Sequence, residues 1–222
     1  YGVMLASQGY EVVAMNYDYA PTGKYPTPVI QVGQLVSHLY GIAQRYHLDT
    51  DRIIIGGDSA GAQIAAQFAA VQTTEGYAKA SGIKRIDMKR PLTGAILFCG
   101  PYDFTKFTSS DSSWMLRWFM NTVAWGYLGD RNWRGSPELK LASVTAHVSA
   151  NFPKSYVVDG NAFSFPEQGK ELVAALKADG VDVTSSFFPN NPKLPHEFQF
   201  DFSHPESAEV WFKTKAFLNG MQ

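Results

Sequence analysis

The chain has 222 residues, 45% of them hydrophobic, and a formal net charge of −1. That suits one domain with a sizeable core and argues against nucleic acid or an anionic membrane as the main partner, since either favours a basic surface. A single cysteine, Cys99, excludes an intrachain disulfide and a cysteine zinc cluster and is compatible with a reducing, cytoplasmic setting; no apolar run reaches the ~18 residues of a membrane span, and no signal peptide is visible.

In chain order, residues 1–8 read as the end of a helix stopped by Gly9. Glu11–Asn16 (EVVAMN) is a short apolar run expected to be a strand, and Tyr17–Pro28, with its prolines and glycine, a loop. Val29–Tyr46 has amphipathic helical spacing through Ile30, Leu35, Leu39 and Ile42. Arg52–Ile55 (RIII) is a buried strand leading into Gly56-Gly57, and the Ala- and Gln-rich stretch Ala60–Thr73 is strongly helical. Residues 75–91 read as polar and irregular. Leu92–Cys99 and Tyr156–Asp159 are further buried strands, Pro166–Asp179 a helix ended by Gly180, Val181–Phe188 an alternating strand and Glu206–Leu218 a terminal amphipathic helix. Strands alternating with helices indicate an α/β domain with a mostly parallel sheet covered by helices on both faces. Residues 104–150 break the alternation and hold four of the five tryptophans, Trp114, Trp118, Trp125 and Trp133. They read either as an insertion over the active edge of the sheet or as a core helix plus surface loop, and the four-residue spacing of Trp114 and Trp118 suits one packed helical face.

The chemistry concentrates at Gly57-Asp58-Ser59-Ala60-Gly61. This G-x-S-x-G pattern follows a predicted strand and opens a predicted helix, the context in which it presents a nucleophilic serine. Small flanking residues suit a tight strand-to-helix turn, and the amide of Ala60, at the helix N-terminus, can stabilise a negative oxygen. A serine needs a base near neutral pH. Of the five histidines, His38 and His47 fall in or just after a helix, His147 lies in the 104–150 stretch, and His204 precedes Pro205 as a capping candidate. His196 follows the last strand in a Pro-rich loop, where a doubly wound sheet returns a loop over its C-terminal edge, and is the candidate base.

Three segments resemble the hormone-sensitive-lipase-like esterases of the α/β-hydrolase superfamily: Tyr17-Asp18-Tyr19-Ala20-Pro21 with Tyr25-Pro26, the Gly57–Gly61 turn, and Leu194-Pro195-His196-Glu197-Phe198, in which Glu197 replaces a glycine. The resemblance runs in order through nearly the whole chain. It implies an α/β-hydrolase fold and serine-dependent hydrolysis of small to medium carboxylic esters, with no metal or organic cofactor; the partner expected is a small-molecule ester, and the chain is compatible with a homodimer. A non-catalytic ligand-binding protein and a peptidase or amidase of the same fold are the rival readings.

Two departures matter. The H-G-G-G segment that supplies most of the family's oxyanion hole is absent. So is the strand leading into it, which normally lies between the strands corresponding to Glu11–Asn16 and Arg52–Ile55, and the sequence is therefore expected to be N-terminally incomplete. The family's aspartate is absent too, because Phe163 occupies its place in Gly160–Phe165. Asp159 at the end of the same strand, Asp103 after the preceding one, and Glu167 are the candidate acids, with Asp159 favoured because a triad is defined by geometry. Glu167 also completes a capping box, Ser164-Phe165-Pro166-Glu167, which gives it a structural explanation.

Overall fold

The computed structural model of the chain describes residues 1–107 and 114–221. Four strands, β1 (Ile54–Asp58), β2 (Gly94–Phe98), β3 (Ser155–Val158) and β4 (Val183–Ser186), form one parallel sheet in the order β1-β2-β3-β4. The helices are α1 (Gly2–Ala6), α2 (Thr27–Tyr46), α3 (Ala60–Thr73), α4 (Glu75–Ser81), α5 (Trp114–Leu128), α6 (Pro137–Ala142), α7 (Pro166–Ala178) and α8 (Pro205–Asn219).

Side chains alternate across a strand, and here each face finds its own apolar partner. Ala95 and Leu97 of β2 and Val157 of β3 join a core built with α2, α3 and α7. Ile96, Phe98, Tyr156 and Val158 face the other way, against Val210, Phe217 and Leu218 of α8. The central strands β2 and β3 are buried at every position, as expected of parallel strands covered on both sides.

Helix α3 is buried nearly all round, so its polar residues must be satisfied from within. Gln63 and Gln67 donate to the carbonyls of Ala142 and Leu141, tying α3 to the segment between β2 and β3.

Several expectations are corrected. Glu11–Asn16 runs without assigned strand structure. A strand exists only through its ladder, and none of the described strands pairs with this segment. A cavity of about 860 Å³, lined by Tyr10, Val12, Met15, Ile54, Ile64 and Ile96 among others, separates it from β1. Residues 75–91 are not wholly irregular, because α4 forms there around buried Tyr77 and Ala78. Its signals are short: Glu75 in the first turn, Lys79 in the last, and Gly82 in the left-handed C-terminal position at φ 68°. Trp114 and Trp118 do not form a packed face, being 72% and 64% exposed. The packed side of α5 is Met120, Ala124 and Leu128, which meet Phe104, Phe107, Trp133 and Tyr25. Residues 108–113 of the 104–150 stretch lie outside the described residues. Among the described residues no helix is long and apolar enough to cross a membrane.

Candidate active site

Ser59, Cys99 and Asp159 directly follow β1, β2 and β3, so all three stand at the carboxyl edge of the sheet, where open α/β sheets place their sites. The turn into α3 forces Ser59 into φ 53°, ψ −118°, a strained conformation for a side chain with a Cβ. Its amide is held by the carbonyl of Phe98 at 2.8 Å. Glycine is required on one side of this turn only. A Cβ on Gly57 would lie 2.2 Å from the backbone carbon of Gly61, whereas a Cβ on Gly61 would meet nothing within 4 Å. The expectation that both flanks must be small thus holds at Gly57 and not at Gly61.

His196 reaches the same point from the loop before α8. Its Nε2 lies 3.0 Å from Ser59 Oγ. The loop is fastened to the chain after β3: the amides of Asn161 and Ala162 both donate to Leu194 O at 2.8 Å, and the His196 amide donates to Ala162 O at 2.9 Å. Asn161 Nδ2 adds bonds to the carbonyls of Phe188 and Asn191, each 2.8 Å. The two segments touch so closely that a Cβ on Gly160 would sit 2.3 Å from Pro195 O. Gly160 therefore sets the height of the histidine above the sheet.

The acid side of the site differs from a direct histidine–aspartate pair. His196 Nδ1 meets Ser164 Oγ at 2.8 Å, and the Ser164 hydroxyl in turn donates to Asp159 Oδ1. Asp159 is 1% exposed, and its Oδ2 has no hydrogen-bond partner. Burial raises its carboxyl to about 7, a rise partly offset by the Ser164 hydroxyl. Burial also lowers the pKa of His196, which keeps the imidazole neutral and able to accept a proton. Asp58 sits just below, bound by Gln199 Nε2 at 2.6 Å, and its carboxyl is held above the usual range by burial and by Glu197.

The other sequence candidates stand elsewhere. Asp103 accepts from the amide and hydroxyl of Thr105 and caps a short 3-10 turn. Glu167 pairs with Lys170 at 2.7 Å on an exposed face. The capping box is not formed: Phe165 is the N-terminal cap of α7, with no side-chain bond, and the Ser164 hydroxyl is spent on Asp159 and His196. His38 and His47 are exposed. His147 stacks on Tyr77 with ring centres 4.1 Å apart, and His204 occupies the N-cap of α8 without a side-chain cap. Ser164 is the residue that sequence reasoning missed in the site, because it had already been given a capping role. Cys99, Asp159 and His196 bring donor atoms within 4.8 Å of one another, and burial raises the Cys99 thiol.

A family model described as the alpha/beta hydrolase fold matches residues 3–200. The chain belongs to the α/β-hydrolase fold family. The protein named probable carboxylic ester hydrolase LipM, of Mycobacterium tuberculosis, is 28% identical over 156 residues, which is 70% of this chain and 34% of that protein. A protein of Acanthamoeba polyphaga mimivirus, named as an alpha/beta hydrolase, is 41% identical over 54 residues, 24% of this chain and 16% of its own. The chain thus spans at most about a third of these two curated relatives. Among solved α/β hydrolases, an inhibited esterase B from Lactobacillus rhamnosis superposes with a TM-score of 0.77 at 24% identity, covering 99% of this chain and 70% of that one. The thermostable carboxylesterase EstE1, from a metagenomic library, gives 0.68 at 17% identity over 93% of this chain and 68% of that one.

Proposed function

We propose that this α/β hydrolase cleaves carboxylic esters through Ser59, with His196 as general base, Asp159 as the acid behind it and the Ala60 amide as one donor of the oxyanion hole. The observation that carries the reading is the 3.0 Å contact between Ser59 Oγ and His196 Nε2 at the N-terminus of α3. Ser59 attacks the ester carbonyl carbon while its proton passes to Nε2. The tetrahedral oxyanion faces the first turn of α3, whose amides have no intrahelical acceptors. Collapse expels the alcohol, which takes the proton from Nε2. Water, deprotonated by the same nitrogen, then releases the acid and restores Ser59.

The surroundings support a substrate class. Phe165 packs edge-on against His196, and Phe107 and Phe104 continue the aromatic wall behind it. An apolar wall beside the nucleophile favours small to medium acyl or aryl esters over highly charged ones. The ester-hydrolase name of the Mycobacterium relative and the esterase titles of the structural neighbours agree with this reading. Hydrolysis of p-nitrophenyl acetate and butyrate by the protein is expected to fall by about 10³-fold or more in both Ser59→Ala and His196→Ala. A wild type no faster than either variant, together with no labelling of Ser59 by a fluorophosphonate, refutes the reading.

A further inference from the structure

We propose that Ser164 is a positioning residue of the active site: its single hydroxyl, set between Asp159 and His196, dictates which ring nitrogen of His196 carries the proton. The inference rests on the ester-hydrolase reading of the same site and adds to it a residue one step removed from the reacting atoms.

The argument is one of proton counting. A serine hydroxyl has one hydrogen to donate and lone pairs to accept with. Ser164 Oγ touches two groups, Asp159 Oδ1 and His196 Nδ1. When Asp159 is ionised it can only accept, so the Ser164 hydrogen points to it. Ser164 Oγ must then accept from Nδ1–H, which leaves Nε2 bare and facing Ser59 Oγ at 3.0 Å. That is the tautomer a general base needs. When Asp159 is protonated, its Oδ2 has nothing to donate to. The favourable place for the proton is Oδ1, donating to Ser164. The chain of bonds then reverses: Ser164 donates to Nδ1, and Nε2 carries the hydrogen and cannot take one from Ser59.

The backbone is arranged for this contact. Phe163, a bulky residue, is held at φ 53° and is 71% exposed, so its strain serves no packing of its own ring. The left-handed turn there follows the bridge between Ala162 and Pro195 and delivers Ser164 to the gap between acid and base. The groups facing Asp159 from the neighbouring elements are Cys99 and Tyr102 after β2, Asp58 at the end of β1 and His196 before α8. Burial holds Cys99 and Tyr102 protonated through the neutral range. Asp58, its carboxyl raised by burial, Glu197 and Asp159, keeps its partners Gln199 and Glu197 in the Ser164 variant, so the tautomer of His196, which Asp58 does not contact through Ser164, is the readout that reports on Asp159.

The test reads the His196 tautomer by ¹⁵N NMR at pH 8 and kcat for p-nitrophenyl butyrate across pH, in wild type, Ser164→Ala, Ser164→Thr and Asp159→Asn. The wild type is expected to show Nδ1–H. Ser164→Ala is expected to populate Nε2–H, to lose about 10²-fold or more in kcat with little change in KM, and to move its acid limb from near 7 to the lower value of the histidine alone. Ser164→Thr, which keeps a hydroxyl, is expected to restore the tautomer and most of kcat. The Ser164→Ala/Asp159→Asn double variant is expected to be no slower than the worse single one, because both act along one path. A wild-type Nε2–H tautomer at pH 8, or one that Ser164→Ala leaves unchanged, overturns the proposal, as do losses that multiply in the double variant. If the tautomer responds but no ester is turned over, the relay stands and the ester-hydrolase reading is what fails.

Discussion

Replacing Asp159 by Asn separates what this carboxylate does for catalysis from what it does to the fold. Asp159 is 1% exposed, with one oxygen unpartnered, and burial lifts its carboxyl from 3.8 to about 7. At 1.36 kcal/mol per pH unit this corresponds to about 4 kcal/mol against the charged form in the folded state. The sign follows from linkage. Between the two values the native state holds a proton that the unfolded chain has released, so the contribution of Asp159 to stability is fully present below about 3.8 and is lost as pH rises through about 7. Between pH 5 and pH 8 the wild type should lose about 3 kcal/mol that the Asn variant does not. The constant offset from exchanging an oxygen for an amide cancels in this comparison. The assay is urea unfolding of both proteins at half-unit pH steps, with the difference in unfolding free energy plotted against pH. The difference should climb in favour of Asn through this range, while kcat at pH 8 falls by about 10³-fold or more from loss of the acid. Curves that stay parallel from pH 5 to pH 8 refute the reasoning, because they mean that Asp159 titrates alike in the folded and unfolded chain.

Gly57→Ala should destabilise by more than about 3 kcal/mol, since its Cβ would press on the Gly61 backbone, while Gly61→Ala, free of contacts in a helix, should stabilise by up to about 1 kcal/mol; thermal melts of the pair check this contrast. Gly160→Ala should lift the histidine loop from Pro195 O and lower kcat and the rate of fluorophosphonate labelling of Ser59 together, by about 10²-fold, because both need His196 Nε2 at the serine; kinetics beside labelling checks this. Trp114→Ser and Trp118→Ser should each change stability by less than about 0.5 kcal/mol, whereas Trp133→Ala, at 1% exposed, should cost about 3–5 kcal/mol in the same melts.

The strand-turn-helix at Ser59 was legible because its signal is local: an apolar run, a tight turn and a helix former in sequence. The same is true of β2, β3, α3 and α7, which lie within a few residues of their sequence-based bounds. Glu11–Asn16 was not legible, because its β-branched composition carries a propensity and a strand is a property of two segments. Helix α4 was hidden by its length: at seven residues it has little periodicity to detect, and it is held by burying Tyr77. The packed face of α5 was misread for a related reason. Four-residue spacing says that Trp114 and Trp118 share a face but not which face meets the core.

The proposed acid is the deeper case, because the structure sets Asp159 behind Ser164 and not against His196. Asp159 stands one residue past β3, buried beside Cys99 and Tyr102, and its hydrogen-bond link to the imidazole runs through Ser164. Phe163, where the resemblance places an aspartate, points outward. Ser164, the next residue, closes the gap. A hydroxyl is a poor acid but a directional conductor, since it can pass on a polarity it does not itself possess. A buried carboxylate behind a serine can therefore orient the histidine without lying against it. The distance is bridged by a residue that pattern reading had assigned to the helix that follows. The cost falls on the fold, through a charge with one oxygen unpartnered, and the stability comparison of Asp159 with Asn measures that cost. If the charge behind Ser164 is what orients His196, the pH at which the loss of stability levels off, about 7, must be the pH through which activity is gained, because both mark release of the Asp159 proton in the folded protein.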